Sequence, residues 1–253
     1  MMNNRRSQMK AFILEKLQVR VSDLEQLFPD VSVMTIRRDL AALEEEGAII
    51  RTRGGARANL DSLGIAEDTY HRREQAFPEA KEIISEKALA FFEEKRSIFL
   101  DAGTTLMTLT RHIPDTDLVL FTTAPNIAME VLTRTRRPQL TLLGGSLSRT
   151  TVSCSGRSTV EQLRSINIDM AFVCTSAYTV NGGFTAGNPY ESEIKAEVIR
   201  KARRVIMLMG CDKIGHNMPY TFAQMSDIDV LICDTKPNEE VLRAAAENGV
   251  TVL

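Results

Sequence analysis

The chain has 253 residues, 43% hydrophobic and 25% charged, a balance that excludes disordered and fibrous classes. Its net charge is −2, and no apolar run approaches the roughly 20 residues of a membrane span. Three histidines and four scattered cysteines (Cys154, Cys174, Cys211, Cys233) show neither metal spacing nor a C-x-x-C pair. No metal or other cofactor is expected, and the apolar neighbours of the cysteines suit small buried hydrophobes in a reducing cytoplasm. The N-terminus, MMNNRRSQMK, lacks the apolar stretch of a secretory signal. Charge is uneven. Residues 1–60 carry ten Lys/Arg against eight Asp/Glu, whereas the remainder carries 21 against 25. A mildly basic front on an acidic body suits a small nucleic-acid-binding module fused to something larger.

Met9, Ile13 and Leu17 recur at helical spacing and predict a first helix. Ser22 and Glu25 are spaced as a capping box that opens a second, with Leu24, Leu27 and Phe28 as its buried face. Pro29-Asp30-Val31 reads as a turn, and Ser32 as the cap of a third helix over 33–43. At roughly 100° per residue, Val33, Ile36, Leu40 and Leu43 share its inner side. Arg38 points nearly opposite, beside Met34 and Ala41, with Thr35 and Arg37 at the flanks. Small neighbours permit close approach to a major groove, where guanidinium groups fork onto guanine or clamp phosphates. An Arg-rich helix face is more often a solvated surface, so the next segment decides the reading. Residues 48–57 form a β-prone run carrying Arg51, Arg53 and Arg57 around Gly54-Gly55, which predicts a hairpin wing laid along the phosphate backbone.

Thr35-Ile36-Arg37-Arg38-Asp39-Leu40, Leu43-Glu44-Glu45-Glu46-Gly47 and Arg51-Thr52-Arg53-Gly54-Gly55-Ala56 resemble the winged helix-turn-helix signature of DeoR-type bacterial transcriptional regulators. One departure is Arg53, where that family more often has His. The resemblance implies that Ser32, Met34, Thr35, Arg37, Arg38, Arg51, Arg53 and Arg57 contact double-stranded DNA.

Residues 59–80 read as a linker with some helix around Tyr70–Gln75, joining a module at 1–58 to a domain at 81–253. In that domain, helix candidates at 81–94, 105–112, 126–133, 158–164, 191–203 and 238–248 alternate with apolar runs. The runs are Ile98–Leu100, Leu118–Phe121, Leu140–Leu143, Met170–Val173, Val205–Leu208, Val230–Cys233 and Val250–Leu253. Such alternation predicts an α/β fold with a mostly parallel sheet covered on both faces, its ligand beyond the carboxyl ends of the strands. Small-polar or charged clusters stand at those ends: Asp101 with Gly103-Thr104-Thr105, Gly144-Gly145, Cys174-Thr175-Ser176, Gly182-Gly183-Phe184-Thr185, and Cys211-Asp212-Lys213. Glycine N–H groups and threonine hydroxyls make the first a candidate phosphate cradle, although it also suits a structural turn.

These clusters resemble the effector-sensing domain of the same family, which is similar in fold to ribose-5-phosphate isomerase and CoA-transferases. The resemblance implies a phosphorylated sugar or related metabolite as effector. It carries over Asp101, Gly103, Thr104, Thr105, Gly144, Gly145, Gly183, Phe184, Thr185, Glu191, Glu193, Lys195, Lys213 and Gly215; Thr122 and Thr123 are expected there too. Thr122-Thr123-Ala124 departs from the family's Thr-Asn-Ser, and Gly210 from its Asp, with Asp212 adjacent.

The leading expectation is a sequence-specific DNA-binding regulator, a repressor, with no catalytic residues, acting as a homodimer or homotetramer without membrane attachment. The alternative is a sugar-phosphate isomerase-like enzyme with an attached DNA-binding module, in which Glu191, Glu193 and Lys195 supply acid–base chemistry.

Overall fold

The computed structural model describes residues 2–16, 18–29, 31–45, 48–52, 54–58 and 70–253. The chain divides into two compact units, Met1–Ala66 and Glu67–Leu253. Leu17, Gly47 and Arg53, and residues 59–69 of the predicted linker, lie outside the described residues.

In the first unit, α1 (Met2–Lys16), β1 (Gln18–Arg20), α2 (Val21–Leu27) and α3 (Val33–Glu45) precede a hairpin of β2 (Ile49–Thr52) and β3 (Gly55–Ala58). The strands form one antiparallel sheet in the order β1-β3-β2. A Cβ on Gly55 would stand 2.0 Å from the Val19 carbonyl oxygen, so only glycine lets β1 join the hairpin. Met9, Ile13, Val19, Leu24, Ile36, Leu40, Leu43 and Ile49 form the core. Two expectations fail. The second helix is capped by Asp23, whose carboxylate accepts the Arg20 N–H at 2.8 Å, and not by a Ser22–Glu25 box, because the helix begins two residues earlier. Leu27 and Val33, expected inside, are 42% and 37% exposed, since each sits at an end of the apolar stripe.

The second unit opens with α4 (Tyr70–Gln75) and α5 (Pro78–Leu89). Lys81 ties them together: its ammonium donates to the carbonyls of Arg73, Glu74 and Ala76 at the end of α4. There follow β4 (Ser97–Leu100), α6 (Thr104–Thr110), β5 (Val119–Thr122), α7 (Pro125–Arg134), β6 (Gln139–Leu142), β7 (Ser146–Ser148), β8 (Ser153–Ser155) and α8 (Arg157–Ser165). The chain continues with β9 (Ile168–Cys174), β10 (Ala177–Thr179), β11 (Gly183–Ala186), α9 (Pro189–Lys201), β12 (Ala202–Met209), β13 (Tyr220–Ala223), β14 (Val230–Cys233), α10 (Glu239–Glu247) and β15 (Thr251–Val252).

Seven strands form a parallel sheet in the order β15-β14-β12-β9-β4-β5-β6. The inner stretches of the central strands (98–100, 170–174 and 205–209) are apolar, because alternate residues enter different cores. Ile98, Leu100, Met170, Phe172, Ile206 and Leu208 pack with Ile84, Leu106, Leu109, Ile127 and Val131 of α5–α7. Phe99, Ala171, Val173, Val205 and Met207 pack with Val160, Leu163, Ile194, Val198 and Val241 of α8–α10. The antiparallel pieces β7–β8 and β10–β11–β13 were not expected from the sequence.

Candidate functional site

The third helix of the first unit is set up by its cap and by one buried carboxylate. Ser32 Oγ accepts the Thr35 N–H at 3.3 Å and lies 3.0 Å from the Thr35 hydroxyl, as expected of an N-cap. Ile36, Asp39, Leu40 and Leu43 are buried. Sequence reasoning missed Asp39. Its carboxylate takes Arg5 on one oxygen (2.6 Å) and Arg6 on the other (3.0 Å), which joins α3 to α1. The signal was the Arg5-Arg6 pair in the first turns of a helix whose apolar stripe, Met9 and Ile13, begins only after it.

On the outer face, Met34 is 76% exposed, Arg37 and Arg38 are exposed, and Thr35 is half-buried. Among the described residues neither arginine has an ion-pair partner. Arg51, expected along the backbone of DNA, is instead engaged within the protein. Its Nε lies 2.6 Å from Glu44, and its backbone N–H donates to the same carboxylate at 2.8 Å. That backbone hydrogen bond, with the guanidinium, holds the Glu44 carboxyl below its usual range. Arg57 lies in β3 opposite Ile50 and Gln18.

In the second unit the strand ends meet around a fully buried lysine. Asn188 caps α9, its side chain accepting the N–H groups of Tyr190 (2.8 Å) and Glu191 (3.4 Å); this cap was also missed. One turn apart on that helix, Glu191 and Lys195 lie 3.2 Å from each other. The Lys195 ammonium also pairs with Asp101 at the end of β4 and donates to the Cys174 carbonyl at 2.9 Å. Asp101 in turn accepts the N–H groups of Ala102 (2.8 Å) and Cys174 (3.0 Å), which binds two neighbouring strand ends to one carboxylate.

Burial alone would favour a neutral amine at Lys195, but the carboxylates of Asp101 and Glu191 outweigh it and hold the ammonium above the usual lysine range. Burial pushes the Cys174 thiol up to about 12, with Lys195 opposing. That thiol packs where Gly103 has no side chain: a Cβ there would stand 2.6 Å from its sulfur.

The other expected residues divide by what they touch. Lys213 donates to the Thr175 carbonyl at 2.8 Å, next to the cluster. Thr104 and Thr105 begin α6 and are buried. The Thr185 hydroxyl donates to Ala177 and accepts from the Met218 N–H, a structural task. Thr122 accepts the Ala124 N–H at 3.1 Å, and the Thr123 carbonyl takes the Cys154 N–H. The Gly144 carbonyl accepts from Thr159 and Gln162 of α8, which ties Gly144-Gly145 to that helix. Gly183 has a left-handed backbone (φ 74°), and a Cβ there would stand 2.4 Å from the Ala223 carbonyl oxygen. Glu193 is a correction. Two residues from both Glu191 and Lys195, it falls on the other side of α9, exposed, and does not join the cluster.

Residues 5–61 match the family described as DeoR-like helix-turn-helix domain, and 76–235 the DeoR C terminal sensor domain. The chain is 33% identical over 223 residues to the HTH-type transcriptional regulator GlpR of Haloferax volcanii, covering 88% of this chain and 86% of that protein. It is also 33% identical over 223 residues to the HTH-type transcriptional repressor GlcR of Bacillus subtilis, covering 88% and 85%. Among solved structures, a D-ribose-5-phosphate isomerase in complex with phospho-erythronic acid aligns with TM-score 0.38 at 17% identity, over 53% of this chain and 52% of that one. The relatives are regulators of transcription, not enzymes. With a helix-turn-helix match, a sensor-domain match and relatives alike over most of their length, the chain belongs to the DeoR family of DNA-binding transcriptional regulators.

Proposed function

We propose that this regulator is a cytoplasmic repressor that reads a symmetric operator as a homodimer or homotetramer and answers to a small phosphorylated sugar. The exposed, unengaged Arg37–Arg38 pair on a capped and salt-bridged helix carries the reading. Ser32 and Thr35 sit at the helix start, where N–H groups and hydroxyls suit phosphates. Met34, Arg37 and Arg38 reach base edges. Arg51, Arg53 and Arg57 add backbone contacts from the wing, Arg51 only after leaving Glu44.

For the effector, Asp101, Glu191 and Lys195 take the sugar hydroxyls. Lys195 is already matched by two carboxylates and has little net charge to offer a phosphate. The phosphate goes to Gly103, Thr104 and Thr105, with Lys213 nearby; Thr122, Thr123, Gly144, Gly145, Gly183 and Thr185 shape the surrounding strand ends. A ligand bound better in one arrangement of the domain shifts the population of DNA-competent molecules. The test is titration of the purified protein onto its own promoter as salt rises, with and without sugar phosphates. Steep salt dependence and release by one sugar phosphate are expected. Binding indifferent to salt, or unchanged by every sugar phosphate, refutes the corresponding half of the reading.

A further inference from the structure

Beyond the carboxyl ends of β9, β12 and β14 the second unit opens a cleft of about 530 Å³. Its walls come from the segments that follow those strands, and none of its lining residues belongs to the Asp101–Lys195–Glu191 cluster. The volume is in the range of small-molecule sites, and strand carboxyl ends are where α/β sheets bind ligands.

The polar lining consists of the Thr179 hydroxyl, the amides of Asn181, Asn217 and Asn238, and the Glu240 carboxylate. Two of the amides are held in place. Asn217 Oδ1 accepts the Thr179 hydroxyl at 2.9 Å, and Asn238 Oδ1 accepts the Val241 N–H at 3.0 Å. Each thereby keeps an NH2 donor for a ligand. Gly182 leaves room for the Asn217 amide, since a Cβ there would stand 2.5 Å from its oxygen. Val180, Ile214 and Val241 supply apolar wall. Tyr178 lies against the same segment, bridged to Ile214 and accepting the Gly215 N–H at 2.9 Å. Its hydroxyl is buried and has no hydrogen-bond partner among the described residues. Burial and the Glu240 carboxylate push that phenol up to about 12, which keeps it a neutral donor.

Among the described residues, no lysine, arginine or histidine lines the cleft, and the one ionised side chain there, Glu240, is negative. A phosphate would find no counter-charge there. We propose that this cleft binds an unphosphorylated sugar or cyclic polyol, at a site separate from the one proposed above for the phosphorylated effector. The Glu240 carboxylate accepts neighbouring hydroxyls, the amides donate to others, and the aliphatic wall covers the C–H face.

The experiment is calorimetric titration of the full chain with D-glucose, D-ribose and myo-inositol, each beside glucose 6-phosphate. The expected result is saturable binding of at least one unphosphorylated compound, weakened about tenfold or more by Glu240→Gln and by Asn217→Ala and left intact by Lys213→Ala. Circular dichroism confirms that the variants remain folded; Glu240 is exposed, so its substitution spares the core. The proposal is overturned if none of the three binds, or if binding survives both cleft variants. Equal binding of glucose 6-phosphate at the cleft, or loss of binding in Lys213→Ala alone, also overturns it. The phosphorylated effector is read separately, by its effect on operator binding, so either proposal can fail without the other.

Discussion

Asp39, buried on the inner face of α3, holds Arg5 of α1 at 2.6 Å and lies seven residues after Ser32, which caps the same helix by accepting the Thr35 N–H. The helix that presents Arg37 and Arg38 is therefore fixed by charge as well as by Ile36, Leu40 and Leu43. Replacing Asp39 with Ala leaves two partly buried guanidinium groups without their acceptor. The expected cost is about 2 kcal/mol of stability in the first unit. Chemical denaturation should show an earlier transition, and operator affinity should fall although no DNA-facing residue has changed.

Arg38→Ala should cost about 1–3 kcal/mol in operator binding and relax the preference for operator over random duplex. Fluorescence anisotropy on both duplexes checks it. An equal loss on both would assign Arg38 to phosphate.

Glu44 and Arg51 give the opposite sign. Glu44→Gln releases the Arg51 guanidinium, so DNA binding should strengthen at low salt and its log–log salt slope should steepen by about one. The pair is exposed, so little change in melting temperature is expected.

Lys195→Met leaves Asp101 and Glu191 buried without their cation and should destabilise the second unit by about 3–5 kcal/mol. The pH dependence should change with it. In the native chain the lysine pKa is raised, so its contribution is complete below the unfolded value and is lost only as alkaline pH rises through the folded one. In the variant, the unpaired carboxyls should have raised values. Their contribution is then complete at acid pH and is lost as pH rises, so the variant should gain stability on mild acidification where the native chain does not. Thermal melts from pH 5 to 8, roughly the window of maximal stability, test this.

Thiol titration tests the cysteines. Cys211 is partly exposed, whereas Cys154, Cys174 and Cys233 are buried and their thiols are pushed above the usual range by burial. A disulfide reagent at neutral pH should modify one thiol quickly and three only on unfolding. Rapid modification of a second thiol would place one of the buried three nearer to solvent.

The parallel sheet was legible because each of its strands is a short apolar run and each helix beside it carries a stripe. The hairpin wing showed in its arginines and paired glycines. The strands β7, β8, β10, β11 and β13 did not show, being three or four residues rich in Ser, Thr and Gly that read equally as loop. At the site, the spacing of Glu191 and Lys195 was visible, but Glu193 was grouped with them by proximity in sequence when helical geometry puts it on the far side. Asp39 and Asn188 were overlooked for a common reason. A buried carboxylate and a capping amide are chosen by partners distant in sequence or by a helix start two residues earlier than the apolar pattern suggests.

Asp101 is hydrogen-bonded to the loop that starts α6, to the end of β9 and to the ammonium of α9 at once. Gly103 packs so closely on Cys174 that the loop cannot slide independently of that strand end. Three separate pieces of backbone thus share one joint. A molecule that displaces any of them by a fraction of an ångström must shift all three, and the long arm of that lever is α9, whose thirteen residues run from the joint to the far end of the strand layer.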